Sequence, residues 1–253
     1  MKTSETDVKE KVRKAYGRVA RTRKVASKSS CCAPPSHGPD YSAEEIASVP
    51  PGAYLAAGSG NPVRTARLQP GETVVDLGCG AGMDVFLAAN QVGPSGRVIG
   101  VDMTPEMLER ARDNAARSGY AQVEFRQGEI EHLPVPAESA DVVLSNCVIN
   151  LVPDKAAVFR DIHRVLRPGG RFAIADIVLQ GSPTLVHRTL ARLAPCACIG
   201  GALEENSYLE ALRSVGFEGV EVVASRPMVA QPLEQVLRTH AITVVGRKPG
   251  RGA

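Results

Sequence analysis

Residues Thr73–Asp84 read TVVDLGCGAGMD. An apolar run meets an aspartate, Asp76, and glycines then fall on alternate positions, Gly78, Gly80 and Gly82. Apolar residues, a glycine turn and an amphipathic stretch predict strand–turn–helix. Glycines let a backbone turn tightly and approach a ligand with no Cβ in the way. The stretch therefore points to a bound nucleoside-like molecule.

Outward from this turn the pattern alternates. Strands are predicted at Thr73–Leu77, Arg97–Val101, Gln122–Arg126, Asp141–Ser145 and Arg171–Ile177, and helices at Met83–Gln91, Pro105–Ser118 and Lys155–Leu166. Thr104-Pro105 is a helix start, with threonine as cap and proline at the first helical position. Leu166-Arg167-Pro168-Gly169-Gly170 reads as a stop followed by a turn. Alternating strands and helices predict an α/β fold with a doubly wound, mostly parallel sheet. Gly219–Ala224 and Ala241–Arg247 read as closing strands, and Pro183–Ala194 and Ser207–Val215 as helices. Short helices are predicted at Tyr41–Ser48 and Pro62–Leu68, around the turn GSGNP. The spacing of Val8, Val12, Tyr16 and Val19 predicts an N-terminal helix that docks on the main domain, and Arg21–Pro39 reads as a linker. The organisation is a basic arm over 1–40, a cofactor-binding domain over 41–180, and a substrate cap with closing strands over 181–253.

A nicotinamide enzyme would show G-x-G-x-x-G with a pyrophosphate on the helix N-terminus. Here the order is D-x-G-x-G-x-G, with Asp76 just before the first glycine. A carboxylate there repels a pyrophosphate but suits an ammonium or hydroxyl group. That fits S-adenosylmethionine, which has an amino-acid end and no phosphate. Asp102 ends the second strand, where an acid can accept ribose hydroxyls. Gly128-Glu129-Ile130-Glu131 ends the third strand and is placed to flank an adenine. The pocket is thus assigned to Asp76, Gly78, Gly80, Asp102, Met103, Glu129, Ile130 and Asn146. Taken singly, each acid could be a solvated strand-end carboxylate. Cys79 reads as a small structural residue of the turn.

Six cysteines occur, Cys31, Cys32, Cys79, Cys147, Cys196 and Cys198. The chain has no apolar run of about 18 residues, and its N-terminus lacks the apolar centre of a signal peptide. The expectation is a cytoplasmic protein with reduced thiols. Cys147 follows the fourth strand, and ligands of open α/β sheets bind beyond the carboxyl ends of strands. A thiol is a poor base but a soft donor for a thiophilic element; the alternative is a small buried cysteine. Cys196-Ala197-Cys198-Ile199-Gly200-Gly201 reads as a loop that can fold over the site. A zinc site needs four compact ligands, and these cysteines supply three. His37, His132, His163 and His187 show no paired spacing with acids, and His163 reads as a surface residue.

The net charge is +3, but residues 1–40 carry ten Lys/Arg against four Asp/Glu, so the body is slightly acidic. A basic arm could meet nucleic acid or anionic lipid, or simply be solvated. Aromatic interleaving of the single-strand-binding kind is missing from it. No nucleic-acid or membrane partner is expected, and the expected state is a monomer.

Asp76, Gly78, Gly80, Asp102 and Gly128–Pro134 resemble the class I methyltransferases. That resemblance implies a seven-stranded sheet and an S-adenosyl-L-methionine cofactor. SNCVINLVPDK, ACIGGAL and the entry helix VKEKVRKAYG followed by Cys31-Cys32 resemble the arsenite S-adenosylmethionine methyltransferases, over about residues 7–225. By resemblance, Cys147 and Cys198 are the thiols that bind trivalent arsenic, with Cys31 and Cys32 as further candidates, and an external thiol reductant such as glutathione or thioredoxin is implied. The alternative is a methyltransferase of a small organic substrate such as a quinone precursor; an aromatic content of 4% and the absence of tryptophan speak against an aromatic-lined cap. One departure stands out. Where the family usually has Gly-Cys-Gly-Asn-Pro, this chain reads Gly58-Ser59-Gly60-Asn61-Pro62. A third sulfur would then have to come from Cys31, Cys32, Cys196 or an external thiol.

Overall fold

The structure is a computed structural model that describes residues 5–22, 40–185, 189, 198–228 and 237–252. The chain runs through α1 (Glu5–Thr22), α2 (Ala43–Ala47), α3 (Pro62–Thr65), β1 (Thr73–Leu77), α4 (Met83–Val92), β2 (Arg97–Asp102), α5 (Pro105–Ser118), β3 (Val123–Gln127) and β4 (Ala140–Asn146). It continues through a 3-10 turn at Ile149–Leu151, α6 (Lys155–Val165), β5 (Leu166–Leu179), α7 (Glu205–Ser214), β6 (Glu218–Pro227) and β7 (Thr239–Arg247).

The strands form one sheet in the order β3-β2-β1-β4-β5-β7-β6. Strands β1 to β5 are parallel, and β7 inserts antiparallel between β5 and β6. The closing strands therefore complete the same sheet that holds the glycine turn. Both faces are covered, so the central strands are apolar on both sides. Val75, Leu77, Val143 and Ile174 pack with Phe159 of α6 and Tyr208 of α7. Val74, Val98, Leu144 and Ala173, displaced by one residue, pack with Phe86 of α4 and Leu108 of α5. Strand order reverses between β1 and β4, which opens a crevice at their carboxyl ends.

The N-terminal helix docks, as its spacing predicts. Val12 and Ala20 are buried, and Lys9, Val12 and Tyr16 face the crevice. Arg110 of α5 donates to the Ala20 carbonyl at 3.2 Å and to the Gly52 carbonyl at 2.9 Å, which gives the last turn of α1 a cationic partner. Arg21 also pairs with Glu106.

Two expectations need correction. Strand β5 starts directly at the end of α6, because the Arg167–Gly170 turn is stitched to the chain's carboxyl end: the Gly169 N–H donates to the Lys248 and Pro249 carbonyls. His163 is half-buried and stacks edge-on against Phe217, with ring centroids 5.2 Å apart. The predicted helix Pro183–Ala194 lies largely outside the described residues, as do Cys31, Cys32 and Cys196.

Candidate active site

One cavity occupies the crevice, and the ends of β1, β2 and β4 build its floor. Asp76 is buried there at the end of β1. Gly78 and Gly80 follow in left-handed conformations, with φ of +64° and +52°. A Cβ on Gly78 would lie 2.5 Å from Val148 Cγ2, whereas nothing stands within 4 Å of one on Gly80. The first glycine permits packing, and the second leaves backbone open to a ligand. The Gly80 N–H donates to Asp102 Oδ2 at 2.9 Å, and the Thr104 N–H donates to Asp102 Oδ1 at 2.8 Å. Asp102 is thereby fixed at the end of β2, with lone pairs left for further donors.

The floor is strongly acidic. Burial pushes the Asp76 carboxyl well above its usual range, and the nearby Asp84 and Asp102 push it further. Burial raises Asp84 to about 6, against the hydrogen bonds from Tyr41 and Asn146. Burial likewise raises Asp102, against the backbone N–H bonds that it accepts. The Asp76 carboxylate accepts no hydrogen bond from any described side chain or backbone group, and it lines the cavity. Lys9 is the single basic residue among the described lining, and it is already committed. Its Nζ lies 2.7 Å from both Glu129 and Glu131. Burial opposes the Lys9 charge, but these two partners raise its pKa. Met103, Glu129 and Ile130 also line the cavity, as the pocket assignment requires.

Asn146 lines the cavity too, but its amide is occupied by the protein. It accepts the Ser59 N–H at 2.9 Å and donates toward the Gly60 carbonyl and the Tyr41 hydroxyl, both at 2.9 Å. Sequence reading gave no role to Lys9, Tyr41 or Asp84. Asp84 closes the diagnostic stretch, but only its hydrogen bond from Tyr41, at 2.6 Å, shows that it belongs to the floor.

The two cysteines assigned to the substrate are neighbours through a thiol-to-backbone contact, and of the two only Cys147 lines the cavity. Cys147 follows β4, lines the cavity and adopts φ of +58°, with its N–H donating to the Ala175 carbonyl at 2.8 Å. Cys198 is buried, and its Sγ donates to the Cys147 carbonyl at 3.2 Å across 51 residues of sequence. The loop of Cys198 sits close on the 3-10 turn, since a Cβ on Gly201 would lie 2.0 Å from the Asn150 carbonyl oxygen. Ser59 is 2% exposed, and its hydroxyl has no hydrogen-bond partner among the described residues. Burial raises the Cys79 thiol well above its usual range, in keeping with a structural role in the turn. Among the described residues no three His, Cys, Asp or Glu side chains converge on a metal site.

The methyltransferase-domain family matches residues 68–216. An arsenite methyltransferase of Halobacterium salinarum is 46% identical over 230 residues, which covers 85% of this chain and 59% of that protein. The crystal structure of an arsenic (III) S-adenosylmethionine methyltransferase from Chlamydomonas reinhardtii superposes with a TM-score of 0.67 at 32% identity, covering 84% of this chain and 72% of that one. The chain belongs to the arsenite methyltransferase family. A 2-phytyl-1,4-naphtoquinone methyltransferase of Synechococcus elongatus is 34% identical over 167 residues, 64% of this chain and 72% of that protein. The chain spans about three fifths of the length of the first curated relatives it matches.

The family's cofactor, S-adenosylmethionine, fits this floor. It carries an ammonium and a sulfonium, and the cavity offers an unbonded buried carboxylate at Asp76 with two more acids beside it. An open Gly80 backbone and an anchored Asp102 suit its nucleoside end.

Proposed function

We propose that this chain methylates trivalent arsenic held by Cys147 and Cys198, using S-adenosylmethionine. The observation that carries the reading is the approach of Cys198 Sγ to the Cys147 carbonyl, 3.2 Å, beside a cavity that Cys147 shares with Asp76. Asp76 holds the ammonium end, Asp102 the ribose hydroxyls, and Met103 and Ile130 flank the base. When bound, S-adenosylmethionine supplies an electrophilic methyl group.

Trivalent arsenic is soft, and thiolates are its natural ligands. Each thiol that binds exchanges an As–OH bond for an As–S bond and releases water. Arsenic held through sulfur keeps its lone pair, so the nucleophile carries no proton and needs no general base. The chain's contribution is positioning, which accounts for large rate gains in oriented reactions. Capture of a methyl cation by the lone pair takes arsenic from the trivalent to the pentavalent state. Two electrons from Cys147 and Cys198, which would leave as a disulfide, return it to the trivalent state, and an external thiol such as glutathione or thioredoxin reduces that disulfide.

Ser59 sharpens the substrate. A serine hydroxyl is a hard, weak ligand for arsenic, so among the described residues this reading rests on two thiols, Cys147 and Cys198. Monomethylated trivalent arsenic needs only two sulfur ligands. The proposed preference is therefore for methylarsonous acid over arsenite.

The test is incubation of the full chain with S-adenosylmethionine, a reducing thiol and either arsenical, followed by separation of the arsenic species. Faster turnover of methylarsonous acid is expected, and loss of both activities in Cys147→Ser and Cys198→Ser. A strong preference for arsenite sinks the two-thiol reading. No methylated arsenic, with methyl transfer to a quinone instead, sinks the arsenic reading. Ser59→Cys is expected to raise arsenite methylation.

A further inference from the structure

The Asn146 side chain is a junction between the cofactor floor and the turn that bears Ser59. Its Oδ1 accepts the Ser59 N–H at 2.9 Å. That donor fixes which way the amide points, because an N–H must face the oxygen. Its Nδ2 then meets the Gly60 carbonyl at 2.9 Å, the Tyr41 hydroxyl at 2.9 Å and Asp84 Oδ2 at 3.2 Å. The Tyr41 hydroxyl donates to the other Asp84 oxygen at 2.6 Å. Tyr41 precedes α2, Asp84 lies in the first turn of α4, and Asn146 ends β4. Three segments far apart in sequence thus close a ring of hydrogen bonds, and all three side chains line the cavity with Asp76. The turn itself rests on the amide: a Cβ on Gly58 would lie 2.8 Å from Asn146 Oδ1. From the other side, Arg226 donates to the Ser59 carbonyl at 3.2 Å.

The amide nitrogen of Asn146 has two hydrogens and three acceptors within reach. The contact with Asp84 is the longest of the three. A cation seated beside Asp76 meets Asp84 as well, since both carboxylates line the same cavity. That weakens the pull of Asp84 on Asn146 and leaves both hydrogens for Gly60 and Tyr41. A ligand shifts an equilibrium only through such a differential interaction. We propose that Tyr41, Asp84 and Asn146 form a positioning relay through which occupancy of the cofactor seat tightens the Gly58–Gly60 turn. The proposal rests on the cofactor reading given above. Its consequence is an order of assembly: the wall around the arsenical is at its most rigid once the methyl donor is in place.

The Ser59 amide is the reporter, because its N–H bonds directly to Asn146. Hydrogen exchange at residues 58–60 of the full chain is measured alone and at saturation with S-adenosylhomocysteine, with saturation set separately for each variant by calorimetry. In the unmodified chain the ligand is expected to slow exchange at Ser59 at least tenfold. In saturated Tyr41→Phe, which keeps the ring against Tyr54, the slowing is expected to fall below threefold. Asp84→Asn removes the charge that the bound cation engages and is expected to behave the same way. Full tenfold slowing in both saturated variants overturns the relay while leaving the cofactor reading intact. Failure of the unmodified chain to bind S-adenosylhomocysteine overturns the cofactor reading, and the relay with it.

Discussion

Asp176→Asn is expected to make the protein more stable at high pH and to flatten its dependence on pH. Asp176 is 1% exposed at the core of the sheet, where burial raises its pKa from 3.8 to about 7. Opposing contributions come from the Ile177 N–H, the charge of Lys155, the Tyr208 hydroxyl and the Asn150 amide. A carboxyl whose folded pKa lies above its unfolded one favours folding below the unfolded pKa. That advantage is lost as pH rises through the folded pKa. At about 1.4 kcal/mol per unit, the full loss is about 4 kcal/mol. Integrated over the range from pH 5 to pH 8, it is about 3 kcal/mol. Asparagine keeps an oxygen for the Asn150 and Ile177 donors, at 2.8 Å and 2.9 Å, and offers Tyr208 an N–H that its hydroxyl can accept. Urea unfolding of both proteins at pH 5 and pH 8 gives the double difference, in which every other titrating group cancels. The variant is expected to gain about 3 kcal/mol relative to the unmodified chain between those two values. A stability difference that is the same at both pH values refutes the reasoning.

Gly201→Ala places a methyl 2.0 Å from the Asn150 carbonyl oxygen and must lift the Cys198 loop; arsenical affinity is expected to fall more than tenfold with S-adenosylhomocysteine affinity within about twofold, and equal losses by calorimetry would refute the separation of the two subsites. The affinity for S-adenosylmethionine is expected to weaken as pH falls through about 6, where Asp84 takes a proton because burial has raised it; Glu45, Asp76, Tyr41 and Asn146 are the groups that act on it, and a flat calorimetric profile from pH 5 to pH 8 would count against it. Lys9→Met removes the bridge to Glu129 and Glu131 and is expected to speed cofactor release severalfold in stopped-flow measurements. Its effect on folding stability is expected to stay under about 1 kcal/mol, as for other partly exposed ion pairs; an unchanged release rate would show that α1 does not restrain the bound molecule.

Much of the fold is legible in the sequence because its signals are local. Strand β1 and helix α5 begin and end where predicted, since apolar alternation and Thr104-Pro105 are properties of neighbouring residues. The positions of Asp76, Asp102 and Cys147 are legible for a related reason: strand ends in a parallel sheet fall in one crevice whatever the loop lengths. Cys198 lies in the connection between β5 and α7, and only the resemblance of ACIGGAL singles it out. The start of β5 is not legible, because it depends on backbone bonds to Lys248 and Pro249, far along the chain. The half-burial of His163 depends in the same way on Phe217. The junction at Asn146 joins residues 105 and 62 positions away. No periodicity links such positions, and a buried amide is recognised only by what its two ends touch. The part that Lys9 plays has the same origin, since a basic helix reads as a solvated arm until its acidic partners are in view.

Charge discriminates between cofactors at this site more sharply than the glycines do. Glycine turns at the end of a first strand serve dinucleotides and methyl donors alike. Burying carboxylates without partners is costly, and the chain places Asp76, Asp84 and Asp102 together in one floor. Among the described lining residues, Lys9 alone could offset them, and it is engaged at the rim with Glu129 and Glu131. A pyrophosphate entering this floor meets repulsion from every side. A cationic ligand relieves the cost that folding left in place, so part of its affinity is already present in the empty protein as raised carboxyl pKa values. The same argument has a direction in time. In the proposed reaction, methyl transfer removes one positive charge from the donor while the acids remain, so a floor that draws the donor in would hold the product less firmly.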